Sequence, residues 1–256
     1  MTPWISNILL KIQCEDDITL FRAAIESTID VVDEIYILDT TPKDSEYYCI
    51  FTINDDLYRW SADLMREKEK VITTFHEPDY CTLHGFAAAR NYLLNQSTED
   101  SFIFYHDADE IHYPEQLQLL KDSLRDYDDI RAHFIHFCLG TNFFEKFEAR
   151  TIIFRRYEGT HWEGKVHERV VHTNPNRRVF HAPYTYMHAG YIRPQSVIFD
   201  RWRSYSILEG QINPSVDHEY PDKQCLEHRR DSLLPYFGEY PSTIPTEWVK
   251  SKMVKI

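Results

Sequence analysis

Three carboxylates fall within four residues at Asp107, Asp109 and Glu110, directly after the apolar run Phe102-Ile103-Phe104-Tyr105. Acids this close repel one another unless something positive sits among them. A divalent cation is the obvious candidate, and hard oxygen ligands favour magnesium, calcium or manganese. The i, i+2 spacing lets Asp107 and Asp109 point into one site if the backbone turns, and Ala108 between them leaves room. A solvated polar loop is the plain alternative. A further acid, Asp39, ends the run Glu34-Ile35-Tyr36-Ile37-Leu38, where an aspartate can equally well start a turn. Arg90 could pair with Asp39, contact a phosphate, or serve as a structural ion pair.

Such side chains need a frame. Apolar residues on both faces of Phe102 to Tyr105 suit a strand covered on both sides, as in a parallel sheet. Open α/β sheets place ligands outside the carboxyl ends of their strands, so Asp39 and the acidic cluster would line one crevice. Ile8 to Ile12 reads as a first strand. Ile18, Phe21, Ile25, Ile29 and Val32 then recur at helical spacing after Glu15-Asp16-Asp17. Further helices are expected around Leu57 to Leu64, over Phe86 to Leu94 and from Pro114, with a strand at Val71 to Phe75. The βα alternation stops near residue 128. Beyond it Ile130 to Leu139, Arg150 to Arg156 and Val166 to Val171 read as strands. From Asn213 prolines become frequent and periodicity is lost. The predicted fold class is α/β, three layers with a mostly parallel, Rossmann-like sheet plus a mixed C-terminal extension. Residues 1–212 are read as one domain and 213–256 as a tail packed on it.

Composition narrows the partners. Of 256 residues, 43% are hydrophobic and 14% aromatic, enough for a core. A net charge of −13 argues against general nucleic-acid binding. No G-x-G-x-x-G and no G-x-x-x-x-G-K occurs, so metal and side chains must supply the positive charge for any phosphorylated ligand. The five cysteines are dispersed and odd in number, which argues against a zinc site or disulfide framework and fits a reducing compartment. With no secretory signal and no apolar span of about 20 residues, a soluble cytoplasmic protein is expected. Peripheral membrane contact and the oligomeric state stay open.

Asp107-Ala108-Asp109-Glu110 resembles the D-x-D element of family 2 glycosyltransferases with the GT-A fold. Four further stretches agree in order: Ile8 to Leu20, Ile35 to Thr41, Phe86-Ala87-Ala88-Ala89-Arg90-Asn91, and the pair Trp162 to Glu168 with Tyr186 to Tyr191, the latter two similar to motifs of a bacterial and viral branch. The resemblance spans roughly residues 5 to 208. It implies a nucleoside-diphosphate-sugar donor, contacted by Glu15 in the acidic turn, by Asp39 at the base, by Arg90 beside the nucleotide and by Asp107 at the ribose or the metal. It departs from the pattern at Gln13-Cys14-Glu15, where many relatives carry Asn-Glu, and at Pro42-Lys43-Asp44, where a small serine-rich turn is usual.

The roles that follow are physically consistent. Departure of a nucleoside diphosphate builds up negative charge, which bound Mn2+ or Mg2+ neutralises. Asp109 is the expected direct ligand, Asp107 a second, and His188 a third through neutral imidazole. An inverting transfer needs one general base for the acceptor hydroxyl, and Glu168 is the candidate; an ion pair with Arg169 or Arg156 is its structural alternative. The expected activity is transfer of a sugar to a glycan-type or lipid-linked acceptor. A metal-dependent phosphoesterase using the same acids and a non-catalytic nucleotide-sugar-binding domain are the competing readings.

Overall fold

The computed structural model describes residues 2–48, 55–123, 126–138, 140–146, 149–210 and 233–253. The first half runs β1 (Trp4–Leu10), α1 (Glu15–Thr28), β2 (Glu34–Asp39), α2 (Asp55–Lys68), β3 (Val71–His76), α3 (Tyr80–His84), α4 (Phe86–Gln96) and β4 (Phe102–Asp107). The strands stand in the order β3-β2-β1-β4, all parallel. Alternation along β1 explains the layers. Trp4, Ile8 and Leu10 face one side, with Phe21 and Ile25 of α1 and Leu57 of α2. Ile5 and Leu9 face the other, against Ala87, Ala89, Leu93 and Leu94 of α4. This is the expected Rossmann-like half of a three-layer α/β fold.

The second half is mixed. It comprises β5 (Glu110–Ile111), α5 (Pro114–Ser123), β6 (Asp129–Cys138), β7 (Phe143–Lys146), β8 (Arg150–Arg155), β9 (His161–Glu163), β10 (Arg169–Val171), β11 (Val179–Tyr191), α6 (Gln195–Leu208), β12 (Leu234–Pro235) and α7 (Thr246–Ser251). Antiparallel β8 joins β4 to β6, extending the sheet. The 13-residue β11 runs parallel to β6 and antiparallel to β5. That pairing draws the end of β11 onto the acidic cluster. Pro114 is the first residue of α5, as its fixed φ favours.

Two expectations need correction. Val166 to Val171 is a strand only from Arg169. Before it Gly164 and His167 take φ of 99° and 55°, a left-handed backbone that breaks the pleat. The sequence signal for β11 is obscured by Pro183, which lies where the pairing with β6 shifts register.

Of the prolines that follow Asn213, Pro214 and Pro221 lie outside the described residues, while Pro235, Pro241 and Pro245 lie within them. Residues 233–253 return to the body of the fold: Ile244 and Val249 pack with Leu20, Ala23, Met187 and Ala189. Trp248 Nε1 and Lys252 Nζ both bind the Asp16 carboxylate, at 2.8 and 2.7 Å. Among the described residues no helix is long and apolar enough to cross a membrane.

A polar knot lies inside the core. His112 is fully buried between Phe104 and Tyr186, with Nδ1 on the Tyr184 hydroxyl. Burial, with help from His106 and Arg150, holds its pKa well below the ordinary 6.5. The unfolded chain therefore takes up this proton first as the pH drops. The stabilisation from a neutral His112 is complete above pH 6.5 and is lost as the pH falls below it. Urea unfolding between pH 7.5 and 5 will show stability falling with acid. His112→Gln will reduce that slope by up to about 1.4 kcal/mol per pH unit, the value of one proton. An unchanged slope would show that His112 is not the group that titrates.

Candidate active site at the end of the parallel strands

The chain turns sharply after β4. Asp107 N–H donates to Glu110 Oε2 at 3.1 Å, and Ala108 N–H to Leu9 O at 3.1 Å. Glu110 thus braces the turn, and each acid meets its own arginine. Asp107 Oδ1 accepts from Arg90 at 2.8 Å. Asp109 Oδ2 accepts from Arg193 at 2.7 Å and lies 3.4 Å from Arg201. Glu110 pairs with Arg150. Much of the positive charge that the cluster demands is therefore the chain's own. These arginines lie 17 to 92 positions away in sequence, which is why they carry no local signal.

The electrostatics separate the three acids. Burial and Asp109 raise the Asp107 pKa, but Arg90, Arg150 and His188 together outweigh them and the carboxyl titrates below its usual range. Asp109 is also buried, yet Arg193 and His188 hold it well below. Glu110 goes the other way: burial, with repulsion from Asp107 and Asp109, pushes it up to about 8 against the pull of Arg150.

Asp109 Oδ1 is buried and has no hydrogen-bond partner among the described residues. It faces His188 Nε2 at 3.6 Å. Burial lowers the His188 pKa to about 4, so its imidazole is neutral at pH 7. His188 Nδ1 lies 2.9 Å from His136 Nδ1, so one of these nitrogens carries the proton and the other accepts it. Gly190 leaves the space: a Cβ there would stand 2.8 Å from His188 Nε2. An unpartnered carboxylate oxygen beside a neutral imidazole nitrogen suits a divalent cation. Among the described residues no group of three or more His, Cys, Asp or Glu could hold a metal alone. The remaining ligands would have to come from substrate phosphates and water, as is common for magnesium.

Arg90 is the hinge between this cluster and Glu168. Its guanidinium is 3% exposed, and Nε donates to Glu168 Oε1 at 2.6 Å while the other arm holds Asp107. Tyr105 and Trp162 flank it at 5.0 and 5.3 Å. Burial disfavours its charge, but Asp107 and Glu168 more than compensate. The loop that carries Glu168 is pinned to α4. Asn91 exchanges two hydrogen bonds with the Trp162 backbone, at 2.8 and 2.9 Å. Phe86 N–H donates to Lys165 O at 2.9 Å, and a Cβ on Gly85 would approach Lys165 to 3.1 Å.

Two cavities meet here. The smaller lies between Leu9 to Lys11, Asp109, Arg193 and α6. The larger, about 670 Å³, contains Glu168, His188 and Tyr191 in its lining. Phe86, Asp107, Arg201 and Tyr205 line both.

Residues 80–183 match the family model described as glycosyl transferase family 2. This stretch is similar to family 2 glycosyltransferases. The matched stretch contains Arg90, Asp107, Asp109 and Glu168, and stops short of His188 and Arg193. A comparison with curated proteins finds no match. Among solved structures, the chain is similar to the crystal structure of S. aureus TarS 1-349, at 11% identity and a TM-score of 0.45, over 90% of this chain and 73% of that one.

Not every residue expected at the site reaches it. Asp107, Asp109, His188, Arg90 and Glu168 come together. Asp39 is buried at the end of β2, where Thr41 binds Oδ1 and His76 lies 3.2 Å from Oδ2. It lines neither cavity. Glu15 sits exposed on the first turn of α1 and also lines neither. The acid of that turn that connects to the cluster is Asp17, through Arg193 Nε at 2.5 Å. Trp162 is a buried neighbour of Arg90.

Proposed function

We propose that this protein is a metal-dependent, inverting glycosyltransferase that moves a sugar from a nucleoside-diphosphate donor to an acceptor hydroxyl. The observation that carries this is the Asp107–Arg90–Glu168 bridge at the junction of the two cavities. The diphosphate belongs where the two cavities meet, toward Asp109 and Arg201. The sugar and acceptor belong in the larger one.

Asp109 and His188 would hold the metal, with Asp107 close by. When bound, Mn2+ or Mg2+ offsets the charge that develops on the departing diphosphate. The protein's own part is positional. Arg90 holds Glu168 by Oε1, leaving the second oxygen to accept the proton of the acceptor hydroxyl. The acceptor oxygen bonds to the anomeric carbon as the bond to the diphosphate breaks, and the electron pair leaves on the diphosphate. The base strengthens the nucleophile while bond breaking proceeds on the opposite face of the sugar. Arg201 is the residue of α6 best placed to face the product diphosphate. Asp39, at the end of β2, remains the base-side candidate. We assign residues 1–212 to the catalytic domain and 213–256 to an extension packed on it, on the contacts of Ile244, Trp248 and Val249.

The test is titration of the protein with a panel of nucleoside diphosphates, with and without manganese, followed by assay of diphosphate release from the matching nucleotide sugars. Binding that requires manganese, with turnover, is expected. Asp109→Asn will weaken manganese-dependent binding at least about tenfold, the usual consequence of disturbing a metal's ligand shell. Silence across the whole panel would end this reading. Phosphate release from simple esters without any acceptor would favour a phosphoesterase.

A further inference from the structure

The larger cavity carries a charge opposite to that of the molecule. Its lining includes five arginines, at 131, 150, 169, 177 and 201, and two carboxylates, Asp107 and Glu168, in a chain of net charge −13. Both carboxylates already share the single positive charge of Arg90 from behind. Four of the five arginines are also spoken for. Arg150 pairs with Glu110, Arg201 with Asp109, Arg177 with Asp129 at 2.9 Å and Arg169 with Glu163 at 3.6 Å. Arg131 makes no ion pair among the described residues, and its Nε is buried without a hydrogen-bond partner.

Arg131 stands near the start of β6, five residues before His136 and so about 16 Å along the strand from the His136–His188 end. A second unsatisfied nitrogen lies at this remote end. His172 is 4% exposed and its Nε2 faces Asp129 Oδ2 at 3.2 Å as the donor, so its Nδ1, without a partner among the described residues, is left as an acceptor for a sugar hydroxyl. Buried polar nitrogens are normally satisfied, and a guanidinium left without an acceptor is costly. The planar fork of arginine matches phosphate and carboxylate oxygens. The donor's own phosphates do not account for this end, since they fall at Asp109 on the reading above.

We propose that the acceptor is anionic, and that its phosphate or carboxylate sits on Arg131 beside His172, beyond Glu168 from the donor. This deepens the transferase reading and rests on it for the word acceptor. Asp129 acts on Arg131 at longer range, but a neutral glycan would leave the buried Arg131 Nε without an acceptor.

The experiment is isothermal titration with glucose 6-phosphate, glucuronate and glucose, at constant ionic strength and with the best nucleoside diphosphate and manganese saturating. The wild type should bind at least one anionic sugar about tenfold or more tighter than glucose, the value of one charge-assisted hydrogen bond. Preference for glucose 6-phosphate alone assigns phosphate; preference for both assigns any oxyanion. Arg131→Gln should bring the anionic sugars to within about twofold of glucose, whereas Arg131→Lys should keep part of the preference. In the wild type, inorganic phosphate should compete with the anionic sugar, a measurement that does not depend on any variant folding. Equal binding of all three sugars by the wild type, or a preference undiminished in Arg131→Gln, overturns the proposal. If no nucleoside diphosphate binds while the Arg131-dependent preference persists, the anionic site stands and the transferase reading falls.

Discussion

Glu168→Gln will slow sugar transfer by about 10²–10⁴-fold while leaving manganese-dependent nucleoside diphosphate binding within about twofold of the wild type. Glutamine keeps the shape of the side chain and an oxygen for Arg90 Nε, which donates at 2.6 Å in the native site. It cannot take a proton. The loss therefore falls on kcat rather than on donor affinity. Rates at saturating donor and acceptor, beside a binding titration, separate the two. A variant with full activity would remove Glu168 from the chemistry and leave it as the partner of Arg90 alone.

Arg193→Met will cost about 3–5 kcal/mol of folding stability, the penalty for leaving buried acids without their cation. Arg193 is 3% exposed and lies between Asp17 and Asp109, each 2% exposed. Methionine fills similar space but neutralises neither. Arg201, 3.4 Å from Asp109, relieves only one of the two acids. Urea unfolding measures the effect, and adding Asp17→Asn to the variant should restore part of it. A change under about 1 kcal/mol would show that solvent reaches these carboxylates.

The first half of the fold was readable because its signals are local. The strands beginning at Glu34, Val71 and Phe102 are short runs rich in apolar residues, and the buried Leu20, Phe21, Ala24 and Ile25 repeat at helical spacing. The first strand spans Trp4–Leu10 but reads from the sequence only over Ile8 to Ile12, because Ser6 and Asn7 interrupt its apolar signal. Asp107 and Asp109 could be found because a strand end announces them. The second half hides its signals. Pro183 interrupts β11, and the left-handed His167 sits in a stretch whose composition reads as strand. Arg150 and Arg193 were invisible for another reason. Their partners lie 40, 84 and 176 residues away, and no pattern along the chain records a contact at that range. The resemblance points to Glu15 within the acidic turn. Burial points instead to Asp17, the one that faces inward.

The single guanidinium shared by Asp107 and Glu168 also constrains how such a chain can diverge. Loss of either acid leaves Arg90 half-paired in a buried site, and loss of Arg90 strands both acids at a cost of about 3–5 kcal/mol. Domains of this size have only about 5–15 kcal/mol to lose. The three positions are therefore expected to change together. A descendant that abandons catalysis at Glu168 is expected to replace Arg90 soon afterwards, and with it the anchor of Asp107.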